Sequence, residues 1–383
     1  MRRATGPSGM TSLFEDDSLN PVKTEGVKYA GSKLRLIPQI LELARRVEAR
    51  SVFDGFTGTT RVAQAFAQTG YRVVASDISA YSKVFGECYL LSKKTPKYYA
   101  DLVAHLNSVP EEAGWFTEHY GGPGEDQSFT DLSTAKRPWQ NHNTRKLDAI
   151  RAEIDRLRLD SVDRSVLLTS LILALDEVDS TLGHFASYLK SWSPRSFRRM
   201  RLRVPNIQSY EQAHEVYQGD IFAVAPTVHA DIAYLDPPYG SNNEKMPPSR
   251  VRYQAYYHLW TTVCLNDTPE IFGKANRRSD TSDTISASVF EEFRRGADGA
   301  FIAVQALERL LSTVNSPHII LSYSSGGRAT RDAIAGIIGR CGKLLETVLI
   351  DHRPHVMGQM KWTDAWTSDG EDNLREFLFL IQK

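Results

Sequence analysis

The tetrapeptide Asp236-Pro237-Pro238-Tyr239 follows the apolar run 232–235. Asp236 can accept one N–H bond, and the Pro237 carbonyl can accept another, because two prolines fix φ and add no competing donor. Tyr239 can stack on a planar ring. This combination suits methyl transfer to an amino group on a heteroaromatic base, since it holds both N–H bonds and leaves the nitrogen lone pair facing an electrophile. A plain Pro-Pro turn beside a half-buried Tyr is the alternative interpretation.

A second signal lies upstream, where a short apolar strand runs into a glycine-bearing turn and the start of a helix (51–69). Gly55 and Gly58 permit close backbone approach. Thr59 or Thr60 can cap the helix, whose N-terminus would face the amino-acid end of a cofactor. The incomplete G-x-G-x-x-G pattern disfavours a dinucleotide.

The next β-rich run, 71–77, ends in a carboxylate. Asp77 thus stands about 20 residues after the loop, where α/β nucleotide sites hold a ribose diol. A generic βαβ unit with Asp77 as a helix cap explains the segment equally well when it is taken alone.

Five motifs in order along the chain carry a family resemblance. They are Tyr29-Ala30-Gly31-Ser32-Lys33, the loop Asp54 to Thr59, Asp77, Gly219-Asp220-Ile221-Phe222, and Asp236-Pro237-Pro238-Tyr239. Together they resemble the motifs of bacterial DNA adenine-N6 methyltransferases, over nearly the whole chain from about Lys28.

The resemblance implies a methyl donor, S-adenosyl-L-methionine, and catalysis by the tetrapeptide on a base flipped out of duplex DNA. The residues it assigns to the donor are Tyr29, Gly31, Lys33, Asp54, Phe56, Thr57, Gly58, Thr59, Asp77, Asp220 and Ile221. Asp77 would hold the ribose and Asp220 the adenine amine. Tyr29 stands where many relatives carry Trp, and Thr57-Gly58-Thr59 where many carry a Gly/Ser-rich run; both changes keep the chemistry.

Basic residues predict where DNA binds, although the formal net charge is zero. The predicted contacts are Arg195, Arg198, Arg199, Arg201 and Arg203 in the segment 194–203, and Arg277 and Arg278 in a second patch. Interleaved apolar residues favour a phosphate-contacting segment. A solvated helix face is the alternative.

Length and the alternation of elements predict the architecture, since 383 residues with 41% apolar composition can form one large core and a smaller module. We expect an α/β fold with a Rossmann-like, mostly parallel sheet. The predicted parts are a disordered N-terminal arm at 1–21, a catalytic domain at 22–92 and 206–383, and a helix-rich target-recognition insert at 93–205.

The element predictions follow from hydrophobic periodicity. Helices are expected over 34–47, 97–108, 144–159, 163–179 and 328–340, an irregular loop over 114–143, and strands over 217–222, 229–236, 318–323, 343–350 and 376–381. We expect the aromatic cluster 253–258 to anchor the core, and His352, Arg353 and His355 to lie on a surface strand edge.

The three cysteines form no C-x-x-C pair, so neither a disulfide framework nor a zinc site is predicted, and no other metal is expected. The longest apolar run, 166–175, is too short to span a bilayer, and residues 1–20 lack a signal-peptide core. We therefore expect a cytoplasmic, nucleoid-associated protein without a membrane partner.

Several alternatives stay open. Cytosine-N4 methylation uses the same geometry but usually has Ser in place of the first Asp, and protein-glutamine methylation usually has Asn. RNA is another substrate, because single-stranded bases need no flipping. A catalytically inactive DNA-binding relative would keep the fold alone. The recognised sequence and an accompanying restriction endonuclease are not encoded in any motif.

Overall fold

The computed structural model describes residues 22–123, 137–189, 191–240, 252–282, 288–351 and 375–383. Two predictions fall outside these ranges: the N-terminal arm, and the surface strand edge of His352, Arg353 and His355. The loop predicted over 114–143 is described only in part.

A seven-stranded sheet forms the centre of the described chain, in the order β3-β2-β1-β4-β7-β9-β8. Its strands are β1 (Ser51–Asp54), β2 (Arg72–Asp77), β3 (Glu215–Gln218), β4 (Ile232–Leu235), β7 (His318–Ser324), β8 (Lys343–Asp351) and β9 (Arg375–Gln382), while β5 (Ile271–Phe272) and β6 (Arg277–Arg278) pair separately. The first five strands in that order are parallel, and β9 is antiparallel to both β7 and β8. The predicted mostly parallel α/β fold is confirmed.

Helices flank the sheet and form a separate bundle between β2 and β3. They are α1 (Ile37–Arg46), α2 (Arg61–Gln68), α3 (Ala80–Gly86), α4 (Pro96–Ser108), α5 (Trp115–Tyr120), α6 (Asn141–Arg156), α7 (Ser161–Glu177), α8 (Ile221–Val224), α9 (Tyr253–Tyr256), α10 (His258–Leu265), α11 (Ile302–Thr313) and α12 (Arg331–Cys341). No helix in the described part of the chain is long and apolar enough to cross a membrane.

Alternation along the strands divides the sheet's core into two faces, because successive side chains point to opposite sides. On β1, Val52 packs with α1 and α2, whereas Phe53 packs with α11 and α12. A third cluster joins α4, α6 and α7 to the residues Tyr257 to Cys264, which come after the tetrapeptide. The helical core therefore draws on chain outside 93–205, and the predicted domain boundaries remain a prediction.

Two local predictions differ from the structure, and helix α11 was missed. Residues 115–120 form α5 inside the predicted loop, held at its start by the Asp148 carboxylate, which accepts from the Phe116 and Thr117 amides. The strand predicted over 217–222 ends at Gln218, because Asp220 caps α8 through the Phe222 amide. The helix α11 is not predicted by the patterns above.

Candidate active site

The candidate site lies where the strand order reverses, with β2 on one side of β1 and β4 on the other. Where the connections that follow two adjacent parallel strands run to opposite sides, a crevice opens at the carboxyl ends of the strands. The proteins of the α/β class bind ligands in this crevice. Asp54 ends β1, Asp77 ends β2, and Asp236 follows β4. A cavity of about 340 Å³ opens at this edge, which is within the range of small-molecule sites.

The cavity brings together most of the predicted donor and catalytic positions. Its lining includes Tyr29, Gly31, Phe56, Gly58, Asp77, Asp220, Ile221, Asp236 and Pro238. The predicted residues outside the lining are Lys33, Asp54, Thr57, Thr59, Pro237 and Tyr239. Of these, Asp54, Thr57 and Thr59 are buried in the loop that passes beneath the cavity.

Backbone hydrogen bonds fix that loop to the ends of the neighbouring strands. The Gly55 amide donates to the Tyr234 carbonyl, and the Thr57 amide donates to the Ser76 carbonyl, both at 3.0 Å. Gly58 has φ of +50°, which favours glycine, and its amide donates to Asp77 Oδ2 at 2.9 Å. The loop therefore presents backbone to the cavity.

The predicted side-chain cap of α2 is wrong. Thr60 occupies the N-cap position with φ of +63°, and its hydroxyl donates to the Thr59 carbonyl instead of accepting from the helix. The Gln64 side chain donates to the Thr60 hydroxyl in turn. The turn conformation thus takes precedence over capping at this position.

Two carboxylates at the strand ends differ in what they contact. Burial raises the pKa of Asp77, and the Ser79 and Gly58 amides that it accepts from oppose the shift. Burial raises the pKa of Asp54 to about 7. The Thr57 hydroxyl and Phe56 amide oppose that shift, but neither forms a well-aligned hydrogen bond, so both Asp54 oxygens are buried without a partner in the described chain.

The tetrapeptide is held by a buried polar network that includes a residue not predicted from sequence, Glu376 on β9. Lys33 Nζ lies 2.6 Å from Glu376 Oε1 and 3.3 Å from Asp236 Oδ1. The Tyr239 hydroxyl lies 2.5 Å from each of these two carboxylate oxygens. Ser322 donates to the same Glu376 oxygen at 3.0 Å. Lys33 therefore contacts Asp236 and does not line the cavity, where its predicted donor-binding role would place it.

Burial and charge oppose one another within this network. Burial raises the pKa of Asp236 and Lys33 lowers it, with the net shift upward. Burial alone would raise the pKa of Glu376, but Lys33, Tyr239 and Ser322 together bring it below its ordinary value. The ionised Glu376 carboxylate also helps to raise the pKa of Asp236.

Aromatic rings line two parts of the cavity. Tyr29 stacks on Tyr257 with centroids 4.4 Å apart and on Tyr253 at 5.4 Å. Tyr257 is fully buried, as expected for a core anchor, whereas Tyr253 lines the cavity. The Tyr253 hydroxyl leaves no room for a side chain at Gly31, because a Cβ there would lie 2.6 Å from the hydroxyl oxygen. The Tyr239 ring packs at a tilt on Tyr323, so its stacking on a base remains a prediction.

The far wall is formed by residues that the sequence patterns did not identify, Ser288 to Glu291 and Arg309. The Phe290 ring stacks on Phe222 with centroids 5.7 Å apart. Burial raises the pKa of Glu291 to about 8. An apolar pair flanked by acidic residues has no short sequence signature, but Tyr253 in the aromatic cluster 253–258 is a signal that could have been used.

The predicted DNA-contacting arginines do not share one environment. Arg195 pairs with the buried Asp179 at 2.6 Å, and Arg203 pairs with Glu25 at 2.5 Å. Arg198 donates to the Glu177 carbonyl, Arg199 pairs with Glu111, and Arg201 is exposed. The last three lie on the surface of the helical region.

The second basic patch is divided in the same way. Arg277 stacks over the Phe272 ring at 4.7 Å and is partly exposed. Arg278 is 5% exposed and forms bonds with Asp267 and Asp280. Because these bonds already use the Arg278 guanidinium, a phosphate contact there would require breaking them.

The residues of the cavity fit the chemistry of S-adenosyl-L-methionine. Asp77 offers a carboxylate that a ribose diol could bind, the Phe222 and Phe290 rings offer an apolar wall for a planar base, and Gly31 and Gly58 keep side chains out of the space. The unpartnered Asp54 oxygens are buried in the loop beneath the cavity, so a cationic ligand bound in the cavity would favour their ionised form.

Comparison with known proteins is consistent with this geometry. The family model described as D12 class N6 adenine-specific DNA methyltransferase matches residues 29–292, more than half of the chain. Type II methyltransferase M.FokI of Planomicrobium okeanokoites is 26% identical over 93% of this chain and 53% of its own length. Modification methylase LlaI of Lactococcus lactis is 26% identical over 82% of this chain and 49% of its own. The chain thus spans about half of these two relatives.

A shorter relative matches over most of both chains. Type II methyltransferase M.NlaIII of Neisseria lactamica is 26% identical over 83% of this chain and 89% of its own length. The range matched by the family model, 29–292, includes every residue that lines the cavity except Arg309.

Proposed function

The chain belongs to the D12 class N6 adenine-specific DNA methyltransferase family, and from this premise we propose that it transfers a methyl group from S-adenosyl-L-methionine to N6 of adenine at a specific site in duplex DNA. The observation that carries the proposal is the common cavity of Asp77 and Asp236, reached from two different strands at the reversal of strand order.

The roles follow from the atoms that each residue offers. Asp236 accepts one N6–H bond and the Pro237 carbonyl accepts the other, which turns the nitrogen lone pair toward the donor side of the cavity. The bound donor supplies a methyl group on a sulfonium, an already activated electrophile. Positioning of the two reactants can contribute about 7–11 kcal/mol to lowering the barrier.

Charge is handled by the same carboxylate. As the nitrogen–carbon bond forms and the sulfur–carbon bond breaks, positive charge develops on N6, and the hydrogen bonds from N6 to Asp236 and the Pro237 carbonyl strengthen. N6 then loses one proton, which passes to Asp236 and on to solvent. The raised pKa of Asp236 makes it a better proton acceptor than an exposed aspartate.

The donor roles are proposed residue by residue. Asp77 holds the ribose diol, and Asp220 with Ile221 contacts the adenine beside Phe222 and Phe290. Tyr29 and the backbone of Gly31 and Gly58 form the wall of the donor cavity. Support comes from their common position in the cavity lining.

Duplex DNA is the proposed partner because adenine inside the stack has to be flipped to reach this cavity. The exposed Arg198, Arg199 and Arg201 contact phosphates, and the helical region 93–205 recognises the target sequence. Three relatives are named as type II methyltransferases or modification methylases, so we propose that a cognate restriction endonuclease accompanies the chain. A DNA substrate would put the activity in the cytoplasm, at the nucleoid.

Modification-sensitive sequencing of DNA from a methylation-free host that expresses the chain tests the proposal. We expect N6-methyladenine in one sequence context, and none in a host that expresses the Asp236→Ala variant. N4-methylcytosine instead, or methylated RNA with unmodified DNA, would replace the proposed substrate. Unmodified nucleic acid together with tight donor binding would point to an inactive DNA-binding relative.

A further inference from the structure

We propose that Glu376 is a positioning residue for methyl transfer: it holds Lys33 and Tyr239 so that Lys33 does not pair with Asp236 alone and Asp236 keeps a fixed orientation toward N6. The inference rests on the catalytic role proposed for Asp236 and assigns a function to the last strand of the sheet. Glu376 begins the buried part of β9, opposite Ser324 on β7 and Ile350 on β8.

The first argument is the concentration of donors on one oxygen. Glu376 is 3% exposed, and its Oε1 lies 2.6 Å from Lys33 Nζ, 2.5 Å from the Tyr239 hydroxyl and 3.0 Å from Ser322 Oγ. A buried carboxylate is costly unless it is paired and hydrogen-bonded. Here the donors come from three separate parts of the chain, so Glu376 fixes them relative to one another.

The second argument is the balance of charge. Lys33 Nζ lies closer to Glu376 than to Asp236: it is 2.6 Å from Glu376 Oε1 and 3.3 Å from Asp236 Oδ1. Two carboxylates and one ammonium leave one net negative charge beside the position proposed for N6. Without the Glu376 charge, Lys33 would pair with Asp236 alone, occupy an acceptor oxygen needed by the base, and neutralise the charge that stabilises the transition state.

The third argument concerns the Tyr239 proton. The hydroxyl lies 2.5 Å from both Asp236 Oδ1 and Glu376 Oε1, yet it has one proton to donate. Before transfer it donates to the ionised Asp236. After the N6 proton has neutralised Asp236, the Tyr239 proton can turn from Asp236 Oδ1 to Glu376 Oε1. No group is oxidised or reduced, and the only proton that the network gains is the one that N6 loses.

Other titratable groups also face Asp236. Asp54 on β1, Tyr234 on β4 and Tyr253 on α9 each interact with its charge. None of these three bonds to Lys33 in the described chain, whereas Glu376 does. Glu376 is therefore the group whose removal changes the pairing of Asp236 most directly.

The test is the Glu376→Gln variant, which keeps the shape and removes the charge. We expect kcat to fall about 100-fold, as for a misplaced reactive group, with the KM for DNA and the Kd for S-adenosyl-L-methionine changed by less than about threefold. Because Glu376 raises the pKa of Asp236, the acid limb of the kcat profile should move to lower pH in the variant. Glu376→Asp, which keeps the charge, should recover part of the lost rate.

The matched control is Glu346→Gln on the adjacent strand β8, whose carboxylate pairs with Arg46 at the surface. It should leave kcat and the acid limb unchanged. If Glu376→Gln does not fold, Ser322→Ala decides, since it removes one bond to the same oxygen; it should lower kcat by about threefold to tenfold without weakening donor binding.

The outcomes separate this inference from the proposed function. A wild-type chain that methylates DNA, with Glu376→Gln equal to it in kcat and acid limb, overturns the positioning role alone. A loss explained entirely by weaker donor affinity overturns it too. A wild-type chain that methylates no nucleic acid overturns the proposed function instead.

Discussion

Two parts of the molecule concentrate charge, the carboxyl end of the sheet and the arginine segment 194–203, and they are built in opposite ways. At the sheet, Lys33, Asp236 and Glu376 are far apart in sequence and meet within hydrogen-bonding distance. In the segment, neighbouring residues diverge, with Arg195 held by Asp179 and Arg203 by Glu25. Strand order, and not closeness in sequence, thus determines which charges act together.

The largest effect should come from Asp236→Ala, because it removes the acceptor of the N6 proton. We expect kcat to fall at least about 10³-fold while the Kd of S-adenosyl-L-methionine changes little. Lys33 and Glu376 still pair in the variant, so the fold should persist. Incorporation of labelled methyl groups measures the rate, and calorimetry measures donor binding. Retained turnover would show that the sheet end is not where the reaction occurs.

The arginine segment should give an intermediate effect of a different kind. Replacing Arg198, Arg199 and Arg201 with Gln removes three exposed charges, so the negative slope of log K against log salt should become shallower by about 2 to 3. Affinity for a short duplex should weaken accordingly, while kcat at saturating DNA stays the same. Binding titrations at several salt concentrations measure the affinity and the slope, and a methylation assay at saturating DNA measures kcat.

A buried arginine provides the control for that experiment. Arg278→Gln breaks bonds to Asp267 and Asp280, so it should lower the free energy of unfolding and leave the salt slope unchanged. If Arg278→Gln and the triple variant make the salt slope shallower by the same amount, the arginine segment 194–203 has no special part in DNA binding.

The smallest effect concerns Asp54, which lies between the two acidic strand ends. Its pKa is about 7 in the free chain, so the carboxyl is protonated below that pH and ionised above it. The donor carries net positive charge and favours the ionised form. Its affinity should therefore rise with pH between about 6 and 8, by about threefold to tenfold.

Asp54→Asn should remove most of this pH dependence in a calorimetric titration, and proton release on binding should disappear with it. Glu42→Gln, which removes a carboxylate from the exposed surface of α1, should retain both. An unchanged pH dependence in Asp54→Asn would assign it to Asp77 or Asp236 instead.

Much of the sheet was predictable because its signals are local. Apolar runs that end in Asp54, Asp77 and Asp236 locate three strand ends, and parallel strands bring such ends to one edge. The closing strands were predicted as well, but not the placement of β9 between β7 and β8. That placement depends on pairing between distant segments, which no local pattern encodes.

The same limit explains the residues that were missed. Glu376 reads as an ordinary strand-edge acid, and only its pairing across from Ser324 brings it to Lys33. Tyr253 was expected in the core, yet the stacking of Tyr29 on Tyr257 leaves it at the cavity wall. Thr60 was expected to cap α2, but its positive φ turns the hydroxyl away.

The insertion of β9 into the middle of an existing order of strands has a consequence in time. During synthesis, β7 and β8 leave the ribosome before residues 375–382, so β7 can pair with β4 but not yet with β9, and β8 still lacks its neighbour in the described sheet. A nascent chain at that stage has a donor loop and a tetrapeptide but no Glu376 beside Lys33. Translation itself would then delay competence for methylation until β9 is in place.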